Sequence, residues 1–154
     1  MGVTISGMTG AGSIRHNNRS FSAANVDRSR TEQNIVFFNG DLNHVYHMVF
    51  DEALAAYNAK KTKTRDKIPD YYEHIRQSKQ EKLFHEAIFQ IGNMSDCGCG
   101  TPDGERAAAA LKDFAESFAE RNPHLRVFNM VLHMDEATPH LHVDFIPVAT
   151  EQSG

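Results

Sequence analysis

The segment Val127 to Pro147, VFNMVLHMDEATPHLHVDFIP, constrains the fold more than any other stretch. Two runs of β-branched and large apolar residues flank the turn formers Asp135-Glu136-Ala137-Thr138-Pro139, which predicts a strand, a tight connection and a second strand. Side chains alternate along a strand, so His140 and His142 project from one face and Leu141, Val143 and Phe145 from the other. On the first strand Val127, Asn129, Val131 and His133 share one face, and Phe128, Met130 and Leu132 the opposite one. If the pleats align across the turn, three imidazoles converge on one patch while the other face stays oily.

Three histidines on one side of a rigid hairpin fit a divalent cation with positions left open for water or substrate. A lone strand histidine is usually a packed or solvated residue. The spacing H-x(6)-H-x-H, with acids in the turn and proline before the second histidine, favours a metal site at His133, His140 and His142.

The rest of the chain supplies a frame for that hairpin. Val3 to Met8 reads as a short first strand ending in a glycine-containing loop, which delivers SIRHNNR (13–19). Residues 20–33 read as a polar, arginine-rich loop or arm, and Asn34 to Asn39 as the second strand. Asp41 caps a predicted helix whose apolar stripe from Leu42 to Tyr57 is expected to be core. His44 and His47 read as exposed. Lys60 to Lys67 breaks the period, and Pro69-Asp70 opens a second helix to about Gln80. Tyr71 and Tyr72 begin it and are expected to pack. Phe84 to Ile91 alternates as a third strand, with Glu86 either facing the histidines or exposed at an edge. The loop GNMSDCGCG leads to Thr101-Pro102, cap and first turn of a helix to about Arg121, which Asn122-Pro123 stops. Five strands with inserted helices predict an α+β fold: an antiparallel sheet, helices on the oily face, histidines on the other.

A chain of 154 residues, 40% hydrophobic, suits one compact domain over 1–154. No apolar run approaches bilayer length and no basic-hydrophobic leader is present, so the expectation is a cytoplasmic protein without a membrane segment. Two cysteines, Cys97 and Cys99, are too few for a disulfide scaffold and are expected to be free thiols. A net charge of −4 argues against nonspecific DNA coating, yet positive charge is concentrated in the first half. Residues 60–82 carry eight basic side chains against four acidic, and residues 13–30 carry four arginines against Asp27 alone.

At HMDEATPHLH followed by VDFIPV the chain resembles the Pre/Mob plasmid recombination and mobilisation proteins, the MobV class of relaxases in the HUH endonuclease superfamily. SIRHNNR, FHEAIFQIGN and RNPHLRVFNMVLH are similar to segments of that family in the same order, so the resemblance covers most of the chain. It implies the HUH relaxase sheet with the histidine hairpin at its centre, and a chain that continues past residue 154 in longer relatives. It also implies that His16 is the nucleophile, that Arg19 acts beside it, and that Glu136 orients the His16 ring; Asp135 reads as shaping the turn or supporting the site from behind.

The expected chemistry is strand-specific nicking and rejoining of DNA at a plasmid origin of transfer, through a covalent phosphoramidate on His16. A cation on His133, His140 and His142 would draw charge from the phosphate; nitrogen ligands favour Mn²⁺ over Mg²⁺. Arg15, Arg28 and Arg30 are expected to hold the backbone of single-stranded or hairpin DNA, and other mobilisation and conjugation proteins are expected partners. Rival readings are a replication initiator or transposase with a tyrosine nucleophile, a histidine-metal hydrolase of small molecules, and a non-catalytic single-stranded DNA-binding module.

Overall fold

The computed structural model describes residues 3–149; residues 1–2 and 150–154, the ends of the expected domain, lie outside the described residues. The chain divides into two compact units, Gly40–Leu83 being one and the sequence on either side of it the other.

The larger unit is built on a five-stranded sheet of β1 (Ile5–Thr9), β2 (Ile35–Asn39), β3 (His85–Ile91), β4 (Leu125–His133) and β5 (His140–Pro147). Every pair is antiparallel and the order is β1-β3-β5-β4-β2, which puts the hairpin strand β5 at the centre. The pairs Leu132↔Leu141 and His133↔His140 align the pleats across the turn, as the alternation requires. Leu141 and Val143 are fully buried against Met130 and Leu132.

One predicted face is corrected. Between Val127 and Asn129 the β4–β5 register shifts, so Phe128 is an extra residue without a partner. Such a bulge inverts the alternation on its far side. Val127 therefore joins the oily core with Met130 and Leu132, while Phe128 sets its ring edge-on to Phe84 at 5.2 Å.

The oily face is covered by a helix, Pro102–Arg121. Thr101 starts it, its hydroxyl accepting the Gly104 N–H at 3.0 Å. Ala107, Ala108, Leu111, Ala115 and Phe118 recur every three or four residues and form its buried side. Phe114, on the same side, is half-buried and packs on Phe89 at 4.8 Å. Burying a leucine such as Leu111 contributes about 2–3 kcal/mol. Ahead of this helix the predicted loop contains a one-turn helix, Met94–Cys97, which Asn93 and Asp96 close as a reciprocal cap.

The smaller unit holds two helices, Leu42–Ala59 and Tyr71–Gln77. Asp41 and Asp70 cap them, accepting the N–H groups of His44 at 2.8 Å and Glu73 at 3.0 Å. The apolar stripe of the first is half-buried rather than core: Tyr46 is its buried residue and Ala53 is exposed. Tyr71 and Tyr72 pack around Tyr46, at 5.9 and 5.5 Å between ring centroids. The second helix stops short of Gln80 because Ser78 turns extended and its hydroxyl accepts the N–H groups of Gln80 and Glu81.

Numbered in chain order, the helices are α1 (Ile14–Asn17, described below), α2 (Leu42–Ala59), α3 (Tyr71–Gln77), α4 (Met94–Cys97) and α5 (Pro102–Arg121).

Candidate active site

His16 does not lie in an open loop. Ser13 caps the single turn of α1, its hydroxyl accepting the His16 N–H at 3.4 Å. Arg19 then reverses the chain in the left-handed region, at φ 56°, a conformation that costs a non-glycine residue about 1–2 kcal/mol. It is held there by both ends of its guanidinium. Nε and Nη2 donate to the two oxygens of Asp135 at 2.9 and 2.6 Å, and Nη1 donates to the His16 carbonyl at 2.8 Å.

Asp135 is fully buried and also accepts from Thr31 Oγ1 and Asn34 Nδ2, each at 2.9 Å. Burial alone would raise its pKa; the hydrogen bonds from Arg19, Thr31 and Asn34 outweigh this and bring it down to about 2. Its backbone carbonyl accepts the Asp27 N–H at 2.7 Å. The arm predicted as loop is thereby fixed, and Arg28–Gln33 forms a 3₁₀ helix capped by Asp27.

The hairpin brings His133, His140 and His142 together as expected, and adds Glu136. Each can offer one ligand atom, and these atoms all lie within 4.8 Å of one another. Hydrogen bonds to carbonyls fix two tautomers, since a carbonyl only accepts. His133 Nε2–H donates to the Asn17 carbonyl at 2.7 Å, and His140 Nδ1–H to the Thr138 carbonyl at 2.8 Å. The opposite nitrogens, His133 Nδ1 and His140 Nε2, face Glu136 Oε2 at 3.5 and 2.5 Å.

Lone pairs facing a carboxylate oxygen at such distances repel unless positive charge lies among them. His133 Nδ1, Glu136 Oε2 and both ring nitrogens of His142 are buried without hydrogen-bond partners. Three imidazole nitrogens and one carboxylate oxygen, oriented from behind by carbonyls, fit a transition-metal dication. Burial alone would raise the Glu136 pKa, but positive charge on the His133 and His140 side, a proton or a bound cation, holds it well below the carboxylate range. Burial pushes the His142 pKa down, opposed by Glu86.

His16 sits beside this centre, half-buried. Its ring lies edge-on to His133 at 5.8 Å and to His142 at 6.2 Å between centroids. Its Nε2 is 3.7 Å from Glu136 Oε1 and 3.4 Å from Arg19 Nη1. Burial first, then the Arg19 charge, lowers its pKa, which favours the neutral ring. Glu136 thus lies between His16 and the three histidines, and Asn25 Nδ2 donates to its Oε1 at 2.8 Å.

Behind the histidines lies a polar group that sequence reasoning did not assemble. Of the two placements open for Glu86, the structure shows the inward one: the residue is buried, with Oε1 3.4 Å from His142 Nδ1. Its partner across the ladder is Asp144, also buried. Burial would raise both carboxyls; the His142 ring beside it and the Asn17 amide hold Glu86 below the usual carboxylate range, while Glu86 reinforces burial to push Asp144 well above it. Two buried carboxyls facing each other across a ladder disfavour ionising together, and Asp144 is the one that burial and its neighbour favour in the neutral form. Asp144 was legible, because it continues the alternation His140, His142, Asp144. Asn17 carried no such signal.

Of the other expected positions, Arg15 and Arg28 are exposed and Arg30 is half-buried, with its Nη2 3.4 Å from Gln33 Oε1. Cys97 is buried, Cys99 half-buried, and both are free thiols. His44 and His47 are exposed. No helix among the described residues is long and apolar enough to cross a membrane.

A five-stranded antiparallel sheet whose central hairpin carries a histidine and carboxylate centre defines the class of protein. The model of the Pre/Mob family, described as plasmid recombination enzyme, matches residues 39–153, and the chain belongs to that family. The match takes in His133, Glu136, His140 and His142; His16 and Arg19 precede it. No curated protein matches. Among solved structures the chain is similar to the manganese-bound MobM relaxase domain (MOBV) in complex with 22-nucleotide origin-of-transfer DNA of plasmid pMV158. One such structure shares 20% identity over 99% of this chain and 74% of that one, with a TM-score of 0.49. A second shares 19% over 99% and 73%, with a TM-score of 0.48. A third, with a 3′-thiophosphate on the DNA, shares 19% over 99% and 74%, with a TM-score of 0.47.

Proposed function

We propose that the chain is the catalytic domain of a relaxase, acting in the cytoplasm to nick and rejoin one strand of plasmid DNA at an origin of transfer. The observation that carries this reading is the placement of His16 against Glu136, which itself closes the three-histidine centre. A nucleophile and a charge-stabilising site are then close enough to engage one phosphate.

His133, Glu136, His140 and His142 would hold a divalent metal, Mn²⁺ ahead of Mg²⁺ because three of the four donors are nitrogen. When bound, that ion supplies Lewis acidity toward a nonbridging phosphate oxygen. With His16 Nε2–H turned toward Glu136 Oε1, Nδ1 carries the lone pair that attacks phosphorus. The N–P bond forms as the P–O3′ bond breaks. The Nε2 proton passes by way of Glu136 to the departing oxygen, leaving a free 3′-hydroxyl and a 5′-phosphoramidate on His16. Because the phosphorus bond stays activated, attack by a 3′-hydroxyl reverses the step and rejoins the strand.

Arg19 is already engaged by Asp135, so its part is to fix the His16 backbone and to keep positive charge beside the reacting phosphate. Arg15 and Arg28, both exposed, and Arg30 beside them in sequence suit contacts to the DNA backbone. Proteins of the mobilisation and conjugation machinery are the partners that transfer of the nicked strand would bring to this domain.

Single-stranded oligonucleotides tiled across the DNA flanking the gene, labelled at either end and incubated with Mn²⁺, test the reading on a denaturing gel. A relaxase shifts the 3′-labelled fragment into a protein adduct and releases the 5′-labelled one. Free fragments from both ends indicate hydrolysis, and intact DNA indicates a binding module.

A further inference from the structure

The chemistry proposed above needs His16 held in register with histidines that lie far from it in sequence, and one residue touches both sides. Asn17 follows His16 in α1 and is 1% exposed. Its backbone carbonyl accepts the Nε2–H of His133 at 2.7 Å. Its side-chain amide donates to Glu86 Oε2 and to Asp144 Oδ2, the latter at 3.1 Å. Glu86 in turn stands 3.4 Å from His142 Nδ1. The neighbour of the nucleophile is therefore linked to two of the three centre histidines, to His133 by a hydrogen bond and to His142 through a carboxylate that stands against its ring.

We infer that Asn17 is a positioning residue that sets the His16 helix against the metal centre and orients His142 through Glu86. The inference rests on the nicking reading only for the His16 half. The chemistry of the site selects asparagine. One amide nitrogen has two hydrogens and satisfies two buried carboxyls at once. Aspartate would set a third carboxyl against them, and alanine would leave the pair without this donor. Glu86 has nowhere else to go: Gly12 N–H lies 3.4 Å from its Oε1, and a Cβ at Gly10 would overlap the same carboxylate. The Asn129 amide donates to Asp144 at 2.9 Å and does not reach Glu86.

The test has two readouts. Mn²⁺ affinity is measured without DNA, from the paramagnetic resonance of free ion, and the adduct rate is measured at saturating Mn²⁺. Asn17→Ala is expected to weaken Mn²⁺ binding about tenfold or more, the usual cost of losing support behind a ligand, and to slow adduct formation about tenfold or more. The double variant Asn17→Ala/Asp144→Asn removes the second of two facing acids, which protects the fold, and offers Glu86 a new amide. It is expected to bring the affinity back to within about threefold of wild type while the rate stays low, because only the His142 half is repaired. Such a split supports the inference. Wild-type affinity and rate in Asn17→Ala overturn it, as does recovery of both in the double variant, which would make Asn17 only a donor to two acids. A wild-type chain that binds Mn²⁺ in an Asn17-dependent way yet forms no adduct contradicts the nicking reading and supports the metal-orienting half.

Discussion

Arg19 shows how the site is held at the scale of single residues. Its left-handed backbone is unfavourable, and a fully buried carboxylate with four donors offsets that cost. Removing one partner of a buried pair leaves the other uncompensated, so Asp135→Ala should destabilise the larger unit by about 3–5 kcal/mol in urea unfolding. A loss under about 1 kcal/mol would mean that Arg19 does not depend on it. Glu136→Gln keeps the shape and removes the charge among the imidazoles. It should weaken Mn²⁺ binding by about ten- to a hundredfold, read by calorimetric titration; unchanged affinity would reduce Glu136 to a contact of His16. The three histidines were legible because a strand's period of two leaves no choice of face once the turn is recognised. Glu136 in the centre was less so, since a turn residue has no fixed face, and Asn17 not at all, since its partners Glu86, His133 and Asp144 come from three distant strands.

At the scale of elements, side-chain caps told the most. Asp41, Asp70 and Thr101 each accept the N–H of the third residue after them and mark helix starts that could be read from sequence. The bulge at Phe128 could not be, because nothing in an alternating run signals an extra residue. Helix α5 depends on its contact with the sheet. Leu111→Ala should cost about 2–5 kcal/mol by chemical denaturation, since the site is fully buried and bounded by Met130, Leu132 and Leu141. In the smaller unit Tyr46 donates to the Leu83 carbonyl at 2.6 Å, and burial pushes its pKa up to about 12 from 10.0. The folded state favours the neutral phenol, so this stabilisation is full below pH 10 and is lost as pH rises through about 12. Tyr46→Phe should cost about 1 kcal/mol near neutrality and flatten the alkaline fall in α2–α3 helicity, followed by circular dichroism. An equally steep fall would assign the titration to another group.

For the whole molecule, the family and the five-stranded frame followed from motif order and strand count. The division at Gly40–Leu83 did not, because a boundary between packed units leaves no mark in composition here. A cation that binds only the folded centre must stabilise the larger unit by mass action, by about 2.7 kcal/mol at a hundred times its dissociation constant. Chelation should therefore lower that unit's thermal transition, and Mn²⁺ should restore it. Which atom takes the DNA separates the histidine mechanism from a tyrosine one. Digestion of the trapped adduct with trypsin, which cuts after Arg15 and Arg19, followed by mass spectrometry reads this directly. The account predicts nucleotide mass on the peptide His16-Asn17-Asn18-Arg19. Nucleotide mass on the peptide Ile68 to Arg76, which carries Tyr71 and Tyr72, would contradict it.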